Sequence, residues 1–443
     1  MLNRRKKNPA RVMAIGFVGL IFIGSILLSL PFSYEAAEFG YLDALFTAAS
    51  AVCVTGLVVV DTGTFFTPFG QSVVMALIFI GALGFMTMTT LTFIFLGRKV
   101  SLQERLVVKE ILDQESIAGL VSLVKAVFWM ALVFVVIGTV LLSIRFVPAM
   151  GYERGIFFSL FHAISAFGNA GFDLFGNFQS LTSSPTDYLV NGTIMTLFII
   201  GGLGFTVILE FANRISLRHR LTLHSKLVVI ITAVLLSSGT VIILLLEYSN
   251  PGTMGNLSFG DKVFTALFTA ATPRTAGFSV LDTAAMGHTT MVMLLALMFI
   301  GASPTSTGGG IKTTTFAIVF FTFVSMIRGK HEPVVYYTRF SLSQVMKAVS
   351  IIMGAIFLVF LSTIALTILE NQDFMVIVFE VVSAFGTVGL STGITPELSS
   401  AAKLVLIITM YAGRIGPLTL LVALTRERKD DVLNYPEEHL LMG

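Results

Sequence analysis

The chain has 443 residues and a single cysteine, Cys53, which excludes an intrachain disulfide. Charge is scarce: Asp, Glu, Lys and Arg together make 12% of the residues, against roughly 25% in soluble globular proteins. The formal net charge is only +3, and no basic stripe interleaved with aromatics appears, so nucleic acid is excluded as a partner. No nucleophile–base pair and no set of metal-ligand spacings occurs, so the chain does not read as an enzyme. What is present in excess is apolar. Hydrophobic residues make 55%, mean hydropathy is +0.90, and there are 40 Phe and 39 Gly. So few charges cannot clothe a water-facing surface of this size, and lipid is the expected surroundings. Glycine is also more frequent in membrane helices, where it permits close packing or irregular backbone.

The N-terminus, with Arg4, Arg5, Lys6 and Lys7 ahead of an apolar run, resembles the start of a signal peptide. The run from Val12 to Leu30 is long enough to span, and no small-residue cleavage site follows before Pro31, so we read an uncleaved first membrane helix. Eight apolar stretches are long enough to cross: 12–31, 70–97, 121–147, 187–211, 226–248, 288–327, 344–369 and 400–424. Four shorter, semi-polar segments lie between members of each pair, at 40–56, 152–171, 260–277 and 373–389. Each is too short to cross and ends in small residues, as a re-entrant half-helix and loop does. If the short segments dip in from outside, 21 of the 28 Lys and Arg fall on the cytoplasmic side. Five fall outside (Arg145, Arg154, Lys262, Arg274 and Lys403), which puts both termini in the cytoplasm.

The short segments share one frame. They read Ala44-Leu-Phe-Thr-Ala-Ala-Ser-Ala-Val-Cys-Val-Thr-Gly-Leu57, Ser159-Leu-Phe-His-Ala-Ile-Ser-Ala-Phe-Gly-Asn-Ala-Gly-Phe172, Ala266-Leu-Phe-Thr-Ala-Ala-Thr-Pro-Arg-Thr-Ala-Gly-Phe278 and Val378-Phe-Glu-Val-Val-Ser-Ala-Phe-Gly-Thr-Val-Gly-Leu390. The helices that follow also echo one another in Phe79-Ile-Gly-Ala-Leu-Gly-Phe85, Phe198-Ile-Ile-Gly-Gly-Leu-Gly-Phe205 and Phe299-Ile-Gly-Ala302. The expected fold is therefore an all-α membrane protein: four repeats of helix, pore half-helix and helix around one pseudo-fourfold pore. The repeats cover 12–97, 121–211, 226–327 and 344–424. Cytoplasmic pieces at 1–11, 98–120, 212–225, 328–343 and 425–443 join and flank them.

The chemistry of the repeated loop follows from its backbone. Val54-Thr55-Gly56, Asn169-Ala170-Gly171, Thr275-Ala276-Gly277 and Thr387-Val388-Gly389 occupy equivalent positions. Irregular backbone at membrane depth is tolerated only where its carbonyls face protein or a wet cavity. Four such loops aimed at one axis offer carbonyl oxygens that replace the water shell of a cation, as in potassium channels. The half-helix C-termini, partially negative, favour a cation there as well. No ionised side chain lies within the four tripeptides.

On these motifs the chain resembles the Trk/Ktr/HKT superfamily of potassium transporters, most closely the membrane subunit of the bacterial Ktr systems. The resemblance runs from about residue 12 to 424. It is carried by Val52-Cys-Val-Thr-Gly-Leu57, Ala166-Phe-Gly-Asn-Ala-Gly-Phe172, Pro273-Arg-Thr-Ala-Gly-Phe278 and Ala384-Phe-Gly-Thr-Val-Gly-Leu-Ser391. The Gly-rich break in the third repeat and Tyr411-Ala-Gly-Arg-Ile-Gly-Pro417 add to it. The resemblance implies potassium selectivity governed by Gly56, Gly171, Gly277 and Gly389; sodium-selective plant relatives carry Ser at the first of these. It further implies potassium as substrate, sodium as a co-acting ion, and a homodimer with one pore per chain. The regulator it implies is a soluble nucleotide-binding ring, a separate polypeptide in the cytosol of a bacterium.

Two features stand beside the loops. Arg414 lies mid-span, where translocon scales put a central Arg at about 2.5 to 3.5 kcal/mol. It either pairs with Glu380, Glu210 or half-helix carbonyls, or it stands beside the ion path as a barrier, and both can hold. The segment Ala302-Ser303-Pro304-Thr305-Ser306-Thr307-Gly308-Gly309-Gly310-Ile311-Lys312-Thr313 interrupts the sixth stretch. It lacks the Gly-Lys-Ser/Thr ending of a phosphate loop and follows a membrane helix instead of a strand, so it reads as an intramembrane gate over 302–315, or as a plain kink. His162 reads as a packed, hydrogen-bonded residue, and His331 with Glu332 makes no metalloprotease motif. The competing function is a sodium-permeable or alternating-access cation transporter; the latter calls for inverted repeats and membrane-centred acids.

Overall fold

The computed structural model describes residues 9–35, 39–95, 109, 119–217, 221–329 and 332–424. The outermost tails, most of the 98–120 connection and His331 lie outside the described residues.

Four long outer helices open the repeats, at Pro9–Leu28, Leu120–Met150, Leu223–Glu247 and Leu342–Leu369. They are apolar on all sides, and their outward faces carry Phe22, Trp129, Val140, Phe357 and Phe360 in the open. A helix hydrophobic all round suits a lipid setting, where nothing penalises an exposed Phe. Two of their starts carry side-chain caps: the Thr222 hydroxyl accepts from the Ser225 amide, and Ser341 forms a reciprocal capping box with Gln344.

A short buried helix follows each outer one: Tyr41–Cys53, Tyr152–Gly168, Phe259–Ala271 and Phe374–Gly386. The repeated frame now has a packing explanation. Its phenylalanines, Phe46, Phe161, Phe268 and Phe379, are all 0% exposed. Burying a Phe contributes about 1.5 to 3 kcal/mol. One such anchor per repeat fixes how deep each short helix sits.

The second helices depart from the sequence expectation. Continuous spans were expected over 70–97, 187–211 and 400–424, with a break only in the third repeat. All four are broken. Pro68–Leu83 gives way to Phe85–Phe95 at Gly84, whose φ is 84°. Tyr188–Leu203 gives way to Phe205–Leu217 at Gly204, and Ser400–Ile415 to Pro417–Leu424 at Gly416, each with a bend of 96°. The third repeat ends His288–Phe299 and resumes at Thr313–Ile327. Single residues with positive φ cannot continue a right-handed helix, and glycine adopts that conformation without a Cβ clash. Four described helices are long and apolar enough to cross a membrane, or six if each strongly bent pair counts as one span.

Candidate functional site

The short buried helices converge and end in the same way. The first residue of each tripeptide is left-handed: Val54 at φ 58°, Asn169 at 58°, Thr275 at 71° and Thr387 at 51°. The closing glycine is also at positive φ, at 92° for Gly56, 68° for Gly171, 79° for Gly277 and 90° for Gly389. Left-handed backbone at a non-glycine residue costs of order 1–3 kcal/mol and persists only where surroundings enforce it. Here backbone caps enforce it. The amides of Val54, Asn169 and Thr387 bond to Ala51, Ala166 and Ala384, and those of Thr55, Ala170 and Val388 bond to Ser50, Ser165 and Ser383. In the third repeat the Ala276 amide bonds to Thr272 instead.

Side-chain hydroxyls then tie each loop from behind, in two styles. Ser50 and Ser383 accept from the Gly56 and Gly389 amides, both at 3.1 Å. Ser165 and Thr272 donate to the carbonyls of Phe172 and Phe278, both at 2.6 Å.

The four loops meet in a closed ring. A β-carbon on Gly56 would lie 2.5 Å from the Ala170 carbonyl oxygen, and one on Gly171 2.8 Å from the Gly277 Cα. One on Gly277 would lie 2.6 Å from the Val388 carbonyl oxygen, and one on Gly389 2.2 Å from that of Thr55. Each repeat therefore abuts the next in chain order, and the fourth returns to the first. Thr55, Ala170, Ala276 and Val388 are all fully buried. Above the ring opens a cavity of about 240 Å³ lined by the four glycines together with Asp61, Asp173 and Ser391.

Beneath the ring lies the segment 302–313. It is not a kink. It folds back so that Ile300 and Ile311 form an isolated bridge, and the Ala302 amide bonds to Gly309. Neighbouring repeats hold it: the amides of Ser303 and Thr307 donate to Gly202 and Gly201, the Gly310 amide donates to Gly413, and Thr305 accepts from the Phe205 amide. The Ser306 hydroxyl donates to Ser303, and Thr313 to the Ser303 hydroxyl. Lys312 Nζ donates to the Gly308 carbonyl at 2.6 Å. Thr305 and Gly310 are at positive φ, and Pro304 sits where a β-carbon on Gly204 would strike its carbonyl. A second cavity, of about 320 Å³, opens below and is lined by Thr305, Ser306, Gly308, Lys312, Lys347 and Arg414 among others.

Arg414 does not pair with a carboxylate among the described residues. Its guanidinium donates to the carbonyls of Thr307, Gly81 and Ala82, the last at 3.3 Å. Gly81 and Ala82 lie in the last turn of the first inner helix, where carbonyls lack i+4 partners, although the Gly84 amide also donates to Gly81. One cation thus joins the end of that helix to the 302–313 segment. Of the carboxylates named as its alternatives, Glu380 accepts from Thr395, and Glu210 accepts from Thr222 at 3.1 Å. Arg274, counted from the sequence on the outer side, is buried beside Thr275. His162 is packed: its Nδ1 lies 2.7 Å from the Phe158 carbonyl and its Nε2 accepts from the Leu174 amide. No group of three or more His, Cys, Asp or Glu suited to a metal occurs among the described residues.

Sequence reasoning missed the shared break. Its signal was available as Gly81…Gly84, Gly201…Gly204 and Gly413…Gly416, with Pro304 standing three residues after Gly301 in the third repeat. In the other three repeats the earlier glycine packs on the short buried helix. A β-carbon would lie 2.2 Å from the Val52 carbonyl oxygen at Gly81, 2.1 Å from that of Phe167 at Gly201, and 1.9 Å from that of Phe385 at Gly413.

Four repeats of helix, half-helix and helix around one closed ring define a membrane transport protein with a potassium-channel-like fold. The family described as "TrkH: Cation transport protein" matches residues 4–434. The chain belongs to this family, whose members move ions and are not enzymes. It is 46% identical to the Ktr system potassium uptake protein B of Bacillus subtilis (strain 168), over 98% of this chain and 97% of the relative. It is 42% identical to the protein of the same name from Vibrio alginolyticus, over 100% and 96%, and 38% identical to the potassium/sodium uptake protein NtpJ of Enterococcus hirae, over 99% and 98%. The potassium transporter TrkH from Vibrio parahaemolyticus shares the fold, with a TM-score of 0.75 over 96% of this chain and 86% of that one, at 20% identity.

Proposed function

We propose that the chain takes up potassium across a bacterial cytoplasmic membrane, with both termini in the cytoplasm. The observation that carries the reading is the closed ring of four glycines set against neighbouring carbonyl oxygens. In this reading Val54, Thr55 and Gly56, with their three counterparts, form the selectivity filter, and its carbonyls hold dehydrated potassium. The quarters of the pore are 12–97, 121–211, 226–327 and 344–424. Residues 302–313 form the gate, and Arg414 adds an electrostatic barrier in the cavity beneath. Transport is sodium-dependent and the chain works as a homodimer on a separate cytosolic nucleotide-binding ring. These last features rest on the resemblance. The name of the Enterococcus hirae relative supports the second reading, a pore that also passes sodium.

The test is potassium uptake by a transporter-deficient, potassium-starved cell expressing this chain with and without a cytosolic partner, with sodium varied. Growth rescue by the chain, strengthened by the partner, supports the reading. Equal uptake of sodium and potassium favours the second, and absence of any cation flux overturns both. Deleting Gly308 to Gly310 should raise flux and blunt dependence on the partner. A folded deletion variant that conducts less, with dependence unchanged, removes the gate from the proposal.

A further inference from the structure

The segment 302–313 touches the ring through side chains that belong to the ring itself. The Gly309 amide donates to the Thr387 hydroxyl at 3.0 Å, and the Thr307 hydroxyl donates to Asn169 Oδ1 at 3.1 Å. Asn169 Nδ2 in turn reaches Thr275 Oγ1 at 3.1 Å and the Arg274 carbonyl at 3.4 Å. At Gly308 even a β-carbon has no room, since it would lie 1.9 Å from Thr275 Oγ1. Asn169, Thr275 and Thr387 are the left-handed first residues of the second, third and fourth loops. The first loop has Val54 there, which offers no polar side chain.

We infer that Asn169, Thr275 and Thr387 clasp the 302–313 segment in its closed position, so that ring and segment move between states as one coupled unit. The inference rests on the reading of 302–313 as the gate. All three side chains are 0% exposed, as is Thr307. If the segment withdraws, the Thr387 hydroxyl and the Asn169 carbonyl oxygen lose their donors, and a buried polar group left without a partner is costly. Water or an ion entering the space beneath the ring supplies the replacement. The closed state is therefore favoured by dry contact and the open state by a wet cavity, and coupling of this kind is reciprocal. Asn169, Thr275 and Thr387 act here as positioning residues through the segment they hold.

The experiment uses the full chain in liposomes, with potassium flux measured with and without the cytosolic partner. In a Cys53→Ala background, the labelling rate of a thiol introduced by Ser306→Cys reports the segment's position, because Ser306 lines the cavity beneath it. Thr387→Val keeps the shape and branching of the side chain and removes the acceptor. It should raise partner-free flux about two- to tenfold, the factor one net hydrogen bond supplies, and speed labelling in parallel. Thr387→Ser, which retains the hydroxyl, should restore both. Thr307→Val removes the contact to Asn169 from the segment's side and should repeat the effect with potassium-over-sodium selectivity unchanged; it also serves where Thr387→Val does not assemble. Unchanged labelling and flux in both valine variants overturn the clasp, as does a selectivity change with no change in labelling. The two readings separate cleanly. If the deletion of Gly308 to Gly310 raises flux but the valine variants do not speed labelling, the gate stands and the clasp falls. If the valine variants speed labelling but neither they nor the deletion raise flux, the side chains hold a segment that closes nothing, and the gate and its clasp fall together.

Discussion

The ring and the layer of helix breaks beneath it are built by the same four repeats, yet they keep that symmetry to different degrees. In the ring every repeat supplies a left-handed residue, a buried middle residue and a glycine at positive φ. In the break layer three repeats turn at one glycine, while the third spends 302–313 on the same turn. A structure that must surround an axis gains from four equal walls. A gate, the role proposed for that segment, needs only one wall to reach the axis. In the other three repeats the inner helix stays pressed on its short helix, since a β-carbon at Gly81, Gly201 or Gly413 would meet a short-helix carbonyl oxygen at 2.2 Å or less.

The comparison breaks first at the contact between the two layers. Gly413→Ala places a β-carbon 1.9 Å from the Phe385 carbonyl oxygen, backbone against backbone. The cost should reach or exceed about 3 kcal/mol, the upper end for overpacking. Loss of the monodisperse species on size exclusion in detergent is the expected outcome, and a normally assembled protein would show that the short helix can slide.

Next comes Arg414→Ala. Its guanidinium bonds span two repeats, and hydrogen bonds to charged groups are worth about 1.5 to 3 kcal/mol each. Partner-free potassium flux should rise about tenfold or more at unchanged expression. Misassembly without any flux would assign the residue to structure alone.

Gly56→Ser and Gly389→Ser test the ring's equality. The β-carbons would lie 2.5 Å and 2.2 Å from the carbonyl oxygens of Ala170 and Thr55. Both should lower potassium-over-sodium discrimination in uptake competition by about tenfold, equivalent to ~1.4 kcal/mol. A change at one position only would mean that the four walls are not equivalent.

The smallest effects belong outside both layers' contacts. At Gly84 no atom lies within 4 Å of an added β-carbon, so Gly84→Ala meets only the positive φ of 84°. The cost should be about 1 to 2 kcal/mol, read as a modest drop in melting temperature with selectivity intact. Lys403→Met breaks a partly buried ion pair to Asp43 of 2.8 Å, and should change stability by about 1 to 2 kcal/mol, between the exposed and the fully buried cases.

Much of this was legible in the residues. The fourfold repeat showed in the shared Phe and in the terminal Gly of each short segment, because each copy solves the same packing problem. The 302–313 interruption showed because three consecutive glycines and Pro304 resist helix. The partners of Arg414 did not show. Backbone carbonyls carry no residue-type signature, so a charge bound to Thr307, Gly81 and Ala82 looks unpaired in sequence. The breaks at Gly84, Gly204 and Gly416 were hidden for a related reason: a glycine in an apolar run looks the same whether it packs, as Gly81 does, or turns the chain.

The sequence by itself determined that the chain is a membrane protein of four repeats and which tripeptides stand at equivalent positions. Hydropathy and repetition are local properties, so they survive without coordinates. Only the tertiary structure decided that the four glycines close into a ring in chain order, that the three polar first residues reach the 302–313 segment, and that Arg414 ties this segment to the first repeat. Those contacts join residues from different repeats, 333 positions apart in the case of Arg414 and Gly81. Nothing in a linear pattern encodes which carbonyl a distant amide or guanidinium will meet, because that is set by how the helices pack.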